Sequence, residues 1–517
     1  MNAKQLKLLQ GIIRSFGGEG HVWVPLNNVR VKGGVQLGLA PAEIDEALRV
    51  LAGEGAAAIE GDMIADGKLA GAERMAAADL ARIREEAEGV GVAPAGESGD
   101  LRGGLAPAQR SAFEEAVKGG VVVITGGPGT GKTYTMRAIV QAYTHAGCTV
   151  NLCAPTGKAA KVLAEAAGHP ASTIHRLLEW TPSGFKRRRE SPLNADLIVA
   201  DECSMLDTQL AADLFQAIPS GATLLIVGDI DQLPSVGPGQ VLADVINSAR
   251  FPVCRFTQIF RQAEKSKIVI AAHAINHGRP PVGCAGPGSD FYLINAPTPE
   301  LAAQHAVALC ATHIPRDFGL SPMRDVQLLC PMNKGMAGTA TLNPRLGSVL
   351  NPNPKDTLPP SDDRVRFSIG DKVIQTKNNY DHGVMNGEGG VVIGVNRNKV
   401  KVTVDFDEGR EVTYGDEDLG GEARNGFRFP SQLLHAWALT VHKFQGSQSP
   451  AVVVTCLQHH GPLLKRNLLY TAVTRGRKLV VLVGDPTAIA RAARTPDTSV
   501  RNTKLRERLE AVQGGAA

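Results

Sequence analysis

The run Gly126-Gly-Pro-Gly-Thr-Gly131-Lys132-Thr133 constrains this chain more tightly than any other stretch. It fits the pattern G-x-x-x-x-G-K-[ST], follows the apolar run Val121 to Thr125, and precedes a helical run from Tyr134 to Thr144. A strand that turns through glycines into a helix presents backbone N–H groups and a helix N-terminus to an anion. Gly126, Gly127, Pro128, Gly129, Thr130, Gly131, Lys132 and Thr133 are therefore the candidate cradle for the phosphates of ATP, with Lys132 neutralising β/γ charge and the Thr133 hydroxyl available to Mg2+. A glycine-rich turn that matched by accident would not need the strand before it and the helix after it. Such a unit belongs in a parallel sheet covered by helices.

The flanking pattern agrees. Short β-branched runs at Val121 to Thr125, Thr149 to Ala154, Leu197 to Ala200 and Thr223 to Val227 alternate with helical segments, which predicts a parallel α/β domain over 105–252. A second set, Val326 to Cys330, Ala451 to Cys456 and Leu479 to Val483, predicts another α/β domain in two parts, 253–366 and 421–517. Between them, 367–420 carries short strands such as Lys372 to Gln375, Val391 to Val395 and Val400 to Phe406, separated by Gly, Asn and Asp turns, and reads as an inserted small β-barrel. Residues 1–90 read as a helix-rich accessory domain, and 91–104, rich in Gly, Pro, Ala and Ser, as a linker.

A chain of 517 residues with 43% apolar and 21% charged residues has room for several cores and the balance of a soluble globular protein. The formal net charge is only +4, so attraction to a phosphate backbone must come from local clusters. The eight cysteines form no C-x-x-C pair and no Cys/His cluster at metal spacing, which argues against a structural zinc or iron–sulfur site and, with the cysteines lying in apolar runs, for reduced thiols in the cytoplasm. Met1 to Gly20 has no apolar stretch of signal-peptide length and no segment has the apolar run of a membrane span, so no membrane partner is expected.

Two further strand ends carry chemistry. Leu197-Ile-Val-Ala-Asp201-Glu202 delivers adjacent carboxylates, with Asp201 placed to hold Mg2+ and Glu202 to orient or deprotonate the attacking water. On its own the pair reads equally well as a solvated turn, and a phosphate loop upstream decides between the two. Leu224-Leu-Ile-Val-Gly-Asp229-Ile-Asp231-Gln232 ends in a polar cluster whose Gln232 amide is suited to sensing the γ-phosphate; without the other motifs it reads as a plain exit from strand to turn. Charge accumulates on the γ-phosphoryl during transfer, and arginines from outside the loop, here Arg261 and Arg475, are the candidates to neutralise it, although from the residues alone both read as easily as surface arginines.

In this order and spacing the motifs resemble the superfamily 1B helicases, and within them the RecD-like group related to the alpha subunit of exodeoxyribonuclease V. The resemblance runs from about Leu105 to the C-terminus. Leu105-Ala-Pro-Ala-Gln109 is similar to the adenine-reading Q motif, Ala154-Pro155-Thr156-Gly-Lys158 to motif Ia, Ser172-Thr173-Ile-His175-Arg176 to the next DNA-contacting motif, and Val441-His442-Lys443-Phe-Gln445-Gly446-Ser447 to motif V. Cys203 stands where a small aliphatic residue is more usual.

The resemblance implies two RecA-like domains, an inserted SH3-like barrel and a winged-helix-like N-terminal domain, with Arg261 and Arg475 as arginine fingers. It also implies ATP-driven, 5′-to-3′ movement on single-stranded DNA and unwinding in repair or recombination. Gln445 and Gly446 join Gln109 as nucleotide contacts, and Pro155, Thr156, Thr173, His175, Thr440 and His442 form the strand-binding track. Between motifs lies Trp180-Thr-Pro-Ser-Gly-Phe185-Lys-Arg-Arg-Arg189, which predicts a hairpin near 179–192 that meets the junction of single- and double-stranded DNA through Phe185 and Arg187. An exposed basic loop with no role is the alternative.

The expected partners are single-stranded DNA and junctions, with repair or nuclease proteins possible and the chain itself a monomer. Two other readings stay open: a helicase subunit of a nuclease complex, and an RNA-stimulated ATPase, since a phosphate track tells RNA from DNA only where it senses the 2′-OH.

Overall fold

The computed structural model describes residues 3–87, 104–181, 183–260, 265–283, 286, 288–360, 366–379, 382–406, 409–419, 431–498 and 500–512. The chain divides into two units, the first comprising 1–155, 159–258 and 498–517, the second 156–158 and 259–497.

The first unit is built on a six-stranded parallel sheet in the order Val253–Phe256, Val121–Gly126, Thr223–Gly228, Leu197–Ala200, Val150–Ala154, Ala171–Thr173. Its central strands are runs of Val, Ile and Leu because both faces are covered, leaving no solvent side for polar alternation. One face packs Phe113, Ile139 and Tyr143 against Val122 and Ile124. The other packs Leu214 and Phe215 against Val121 and Val123.

The helix Gly67–Ala87 contributes Ala76, Ala77, Leu80 and Ile83 to that second face. The expected accessory domain of 1–90 thus ends in a helix that completes the core of the α/β domain. Its alanines give it a narrow apolar stripe that suits close helix packing but is weak as a sequence signal. The remainder is three helices, Ala3–Ser15, Leu26–Leu37 and Pro41–Gly53, closing on Leu9, Ile12, Ile44, Leu48 and Leu51. With them lies an antiparallel sheet in the order Trp23–Pro25, Met63–Asp66, Ala57–Glu60, a helical domain with a β-wing. The C-terminal segment ties this domain down: the N–H groups of Val22 and Trp23 both donate to Asn502 O at 3.0 Å.

In the second unit a five-stranded parallel sheet runs in the order Phe291–Asn295, Gly476–Gly484, Ser449–Cys456, Val326–Cys330, Ala438–Thr440. A separate five-stranded antiparallel sheet runs Arg410–Tyr414, Lys401–Phe406, Gly389–Asn396, Lys372–Gln375, Leu433–His435, around Val373, Val392, Val404, Phe406 and Tyr414. Its last strand lies beyond residue 420, so the inserted barrel extends further than 367–420, because Leu433–His435 pairs with Lys372–Gln375. Among the described residues no helix is long and apolar enough to cross a membrane.

Candidate nucleotide and nucleic-acid site

Because all strands of the first sheet are parallel, the glycine loop, the Asp201–Glu202 pair and the Asp229–Gln232 cluster all emerge at the same, carboxyl, edge. Gly129 and Gly131 adopt φ of 74° and 80°, conformations that side-chain-bearing residues resist. At Gly126 a Cβ would stand 2.6 Å from Phe256 O, so only glycine lets the loop leave its strand beside the neighbouring one. Thr130 Oγ1 donates to Gly127 O at 2.8 Å and braces the turn. Lys132 Nζ donates to Gly127 O at 3.1 Å and to Gly126 O, so the ammonium sits within the loop. Thr133 follows it in the first turn of the helix Lys132–His145.

Glu202 carries the clearest mark of a functional site. Its φ of 53° and ψ of 37° place a non-glycine residue in the left-handed region, a strain that persists only where the surroundings impose it. Its backbone N–H donates to Asp201 Oδ1 at 2.8 Å, and its Oε2 is buried with no hydrogen-bond partner among the described residues. Burial, and then the Glu202 carboxylate, push Asp201 up to about 7, against the pull of the Glu202 N–H and Lys132. A half-buried pair of carboxylates, one oxygen of which is buried without a donor, suits a cation.

Gln109 is buried, its Oε1 accepting from Ala106 N at 3.0 Å as the helix cap while its Nε2 reaches Gly131 O at 3.5 Å. The amide thus ties the expected adenine-reading segment to the phosphate loop. Gln232 Nε2 lies 3.3 Å from Asp229 Oδ2, and Asp229 is buried beneath it.

Pro155 and Thr156 follow the strand Val150–Ala154, and Thr173 ends the edge strand and caps the short helix after it by accepting from Arg176 N at 3.1 Å. The His175 ring packs on Phe185 with centroids 5.5 Å apart, and burial pushes its imidazole down against the opposing Asp207. The predicted hairpin is present: Trp180–Thr181 pairs antiparallel with Gly184–Phe185. Phe185 seats its base on the core, and Trp180, opposite it, remains 39% exposed.

The basic run beside the hairpin is largely paired within the unit. Arg187 is 2.6 Å from Glu179, Arg188 is 3.0 Å from Glu190, and Arg189 bonds the buried Asp79, leaving Lys186 the most loosely held at 3.9 Å from Glu179.

In the second unit Thr440 ends an edge strand and accepts from Lys443 N at 3.3 Å, followed by His442, Gln445 and Gly446, whose φ is 67°. The Arg475 guanidinium is buried, donating to Thr471 O at 3.2 Å, Ser447 O at 3.4 Å and Thr474 Oγ1 at 3.3 Å, so it is held against the motif V segment. Arg261 lies outside the described residues. Sequence reasoning missed Asp207, which caps the helix Thr208–Gln216 through Leu210 N at 2.9 Å and whose carboxyl burial raises. Its signal was the Asp before an amphipathic run.

Comparison with known proteins agrees with this geometry. Residues 104–286 match the AAA domain, 342–406 the ATP-dependent RecD-like DNA helicase SH3 domain, and 435–483 the UvrD-like helicase C-terminal domain. The chain is 39% identical over 415 residues to the ATP-dependent RecD2 DNA helicase of Deinococcus radiodurans, covering 79% of this chain and 53% of that protein, so it spans about half the length of this relative. It is 33% identical to the RecBCD enzyme subunit RecD of Mycobacterium tuberculosis, covering 79% of this chain and 74% of the subunit. The crystal structure of Bacteroides Pif1 bound to ssDNA aligns with a TM-score of 0.43 and 19% identity, over 73% of this chain and 92% of that one. With the phosphate loop, the paired carboxylates and the inserted barrel in one chain and a relative matched over most of both lengths, this chain belongs to the RecD-like helicase family.

Proposed function

We propose that this chain is an ATP-dependent DNA helicase that moves along single-stranded DNA, 5′-to-3′, and opens duplexes at junctions in repair or recombination. The observation that carries the hydrolytic part is Glu202, strained into the left-handed region beside the desolvated Asp201 carboxyl at the sheet edge that bears the phosphate loop. Lys132 and the loop N–H groups bind the β- and γ-phosphates, Gln109 the base, and Glu202 orients and accepts a proton from the attacking water. Thr133 and Asp201 supply hard oxygen donors that fit Mg2+, which when bound neutralises charge developing on the phosphates. Gln232 senses the γ-phosphate, and Arg475 and Arg261 are its charge-stabilising arginines, with Gln445 and Gly446 next to the nucleotide.

Pro155, Thr156, Thr173, Thr440 and His442 form a track that holds the DNA backbone with little base reading, so binding is salt-sensitive and nearly sequence-blind. His175 and Phe185 support the hairpin, and Arg187 stiffens it through Glu179. Reduced buried cysteines support a cytoplasmic protein. The likeness to RecD subunits favours one second reading, a helicase subunit working with nuclease partners.

ATP hydrolysis by the purified chain, with and without single-stranded DNA and with Lys132→Ala as control, tests the proposal. Strong stimulation lost in the variant is expected. Hydrolysis indifferent to DNA and to RNA sinks the motor reading.

A further inference from the structure

The chain leaves the first unit after residue 258 and returns to it at Thr498, ending in the helix Leu505–Ala511. On its return it places Arg501 against the loop that directly follows Gln232. Arg501 Nη1 donates to Gly239 O at 2.7 Å, Gly237 O at 2.9 Å and Ser235 Oγ at 3.1 Å, while Nη2 donates to Ser235 O at 2.7 Å. Three carbonyls of one short loop thus converge on one planar guanidinium. We infer that Arg501 is a positioning residue for ATP hydrolysis, holding Ser235–Gly239 and through it the γ-phosphate sensor Gln232; the inference rests on the nucleotide site proposed above.

The loop Ser235-Val-Gly-Pro-Gly239 belongs to no strand or helix, so no backbone ladder sets its shape. Within the loop the Ser235 hydroxyl reaches Gly237 O and Gly239 O but has one proton to give, so further donors come from elsewhere, and a forked guanidinium can serve several carbonyls at once where an ammonium presents a single point. The surroundings are built for the fit. Gly20 has φ of 90°, and a Cβ there would lie 2.6 Å from Arg501 Nε. Gly20 O accepts from Gly239 N at 3.0 Å. Asn502 N donates to His21 Nδ1 at 3.2 Å, and Lys504 N to the buried Glu73 at 2.8 Å, so the segment carrying Arg501 is itself anchored.

The other side of the loop is pinned to the hydrolytic machinery. Thr208 N donates to Pro238 O at 2.9 Å, and Cβ atoms at Gly237 and Gly239 would stand 2.5 Å from Asp207 Oδ2 and 2.0 Å from Thr208 Oγ1. Asp207 and Thr208 begin the helix that follows Asp201 and Glu202. The loop is therefore clamped between the Glu202 element and Arg501, with Gln232 on its entry side. Without the guanidinium the Ser235 hydroxyl, 2.9 Å from Gly237 O and 3.3 Å from Gly239 O, has one proton for two carbonyls, and Ser235 O loses the donor that Arg501 gave it; this frees the Gln232 end to wander, which lowers turnover more than ATP binding.

The test is a double-mutant cycle on steady-state ATPase, with oligothymidylate as the DNA, using Arg501→Ala, Arg501→Lys, Gln232→Ala and the combined variants. Each Arg501 variant is expected to lose about tenfold in kcat with KM for ATP changed by less than about twofold, and to cost nothing more once Gln232 is alanine. Arg501→Lys keeps the stem and the charge, and it decides the matter if a thermal melt shows Arg501→Ala unfolded. Losses that multiply independently, an unchanged kcat in Arg501→Lys, or a Gln232→Ala enzyme with wild-type kcat each overturn the inference. A wild-type chain that hydrolyses ATP without responding to DNA instead sinks the motor reading and leaves the cycle to judge Arg501 by itself.

Discussion

Asp244 lies buried in the helix Val241–Asn247, just beyond the loop that Arg501 holds, and Asp244→Asn is a perturbation whose magnitude follows from its surroundings. Burial pushes the carboxyl from 3.8 up to about 6, and Glu73 adds to the rise. Hydrogen bonds from Thr503 and Gln240 and the charge of Arg506 pull the other way and fall short. Its Oδ2 has no hydrogen-bond partner among the described residues. Between those two pH values the folded protein binds more protons than the unfolded chain, so this group erodes stability as pH rises through the window, and the cost is complete above the folded value.

The rise from 3.8 to about 6 corresponds to at most about 3 kcal/mol at neutral pH. Asparagine keeps an acceptor for Gln240 Nε2, now 3.0 Å from Oδ1, but brings amide protons that need partners, so the expected gain is about 1–2 kcal/mol. Thermal melts of wild type and variant at a series of pH values from 3.5 to 7.5 provide the assay. The variant should melt a few degrees higher at neutral pH, about 2–4 °C per kcal/mol for a unit of this size, with the advantage vanishing near pH 3.5. A variant that melts no higher at neutral pH, or an advantage that grows on acidification, would refute the reasoning.

Glu202→Gln keeps the size of the side chain but removes the base. Nucleotide binding measured by fluorescence titration should be retained while turnover falls by about a hundredfold or more, and an equal loss in both would remove Glu202 from the chemistry. Trp180→Ala removes the exposed aromatic of the hairpin while leaving Phe185 on the core. Strand separation on a forked duplex should slow about tenfold, the scale of one lost base–aromatic stack, with single-stranded-DNA-stimulated ATPase preserved, and unwinding at the wild-type rate would count against the hairpin's role. Arg189→Ala deprives buried Asp79 of one partner and leaves it Arg82, so it should lower the melting temperature by the equivalent of about 1–3 kcal/mol. Affinity for single-stranded DNA should be unchanged, and a large loss of affinity with normal stability would return Arg189 to the DNA-binding surface.

The sequence by itself determined the parts whose chemistry is contiguous. A phosphate cradle needs successive N–H groups and a lysine within one turn, and a paired carboxylate needs a strand to deliver it. Both are therefore written in consecutive residues, and Gly126–Thr133 and Asp201–Glu202 were legible for that reason. The central strands were legible too, because burial on both faces demands unbroken Val, Ile and Leu. The edge strands Ala171–Thr173, Ala438–Thr440 and Val253–Phe256 are too short or too mixed in burial to show a period. The helix Gly67–Ala87 conceals its place in the core behind small alanines.

What only the tertiary structure decided are relations between residues far apart in the chain. Four consecutive basic residues read as a charged loop until Glu179, Glu190 and Asp79 are seen to bind three of them. The strain at Glu202 is invisible in its letter, since a left-handed glutamate exists only where packing imposes it. Arg501 and Ser235 lie 266 residues apart, and no local pattern foretells that one guanidinium will supply the carbonyls of a loop so distant. Local rules set which segments are strands, helices and cradles, whereas the hydrogen bonds that irregular loops cannot make within themselves are satisfied only when the whole chain has folded around them.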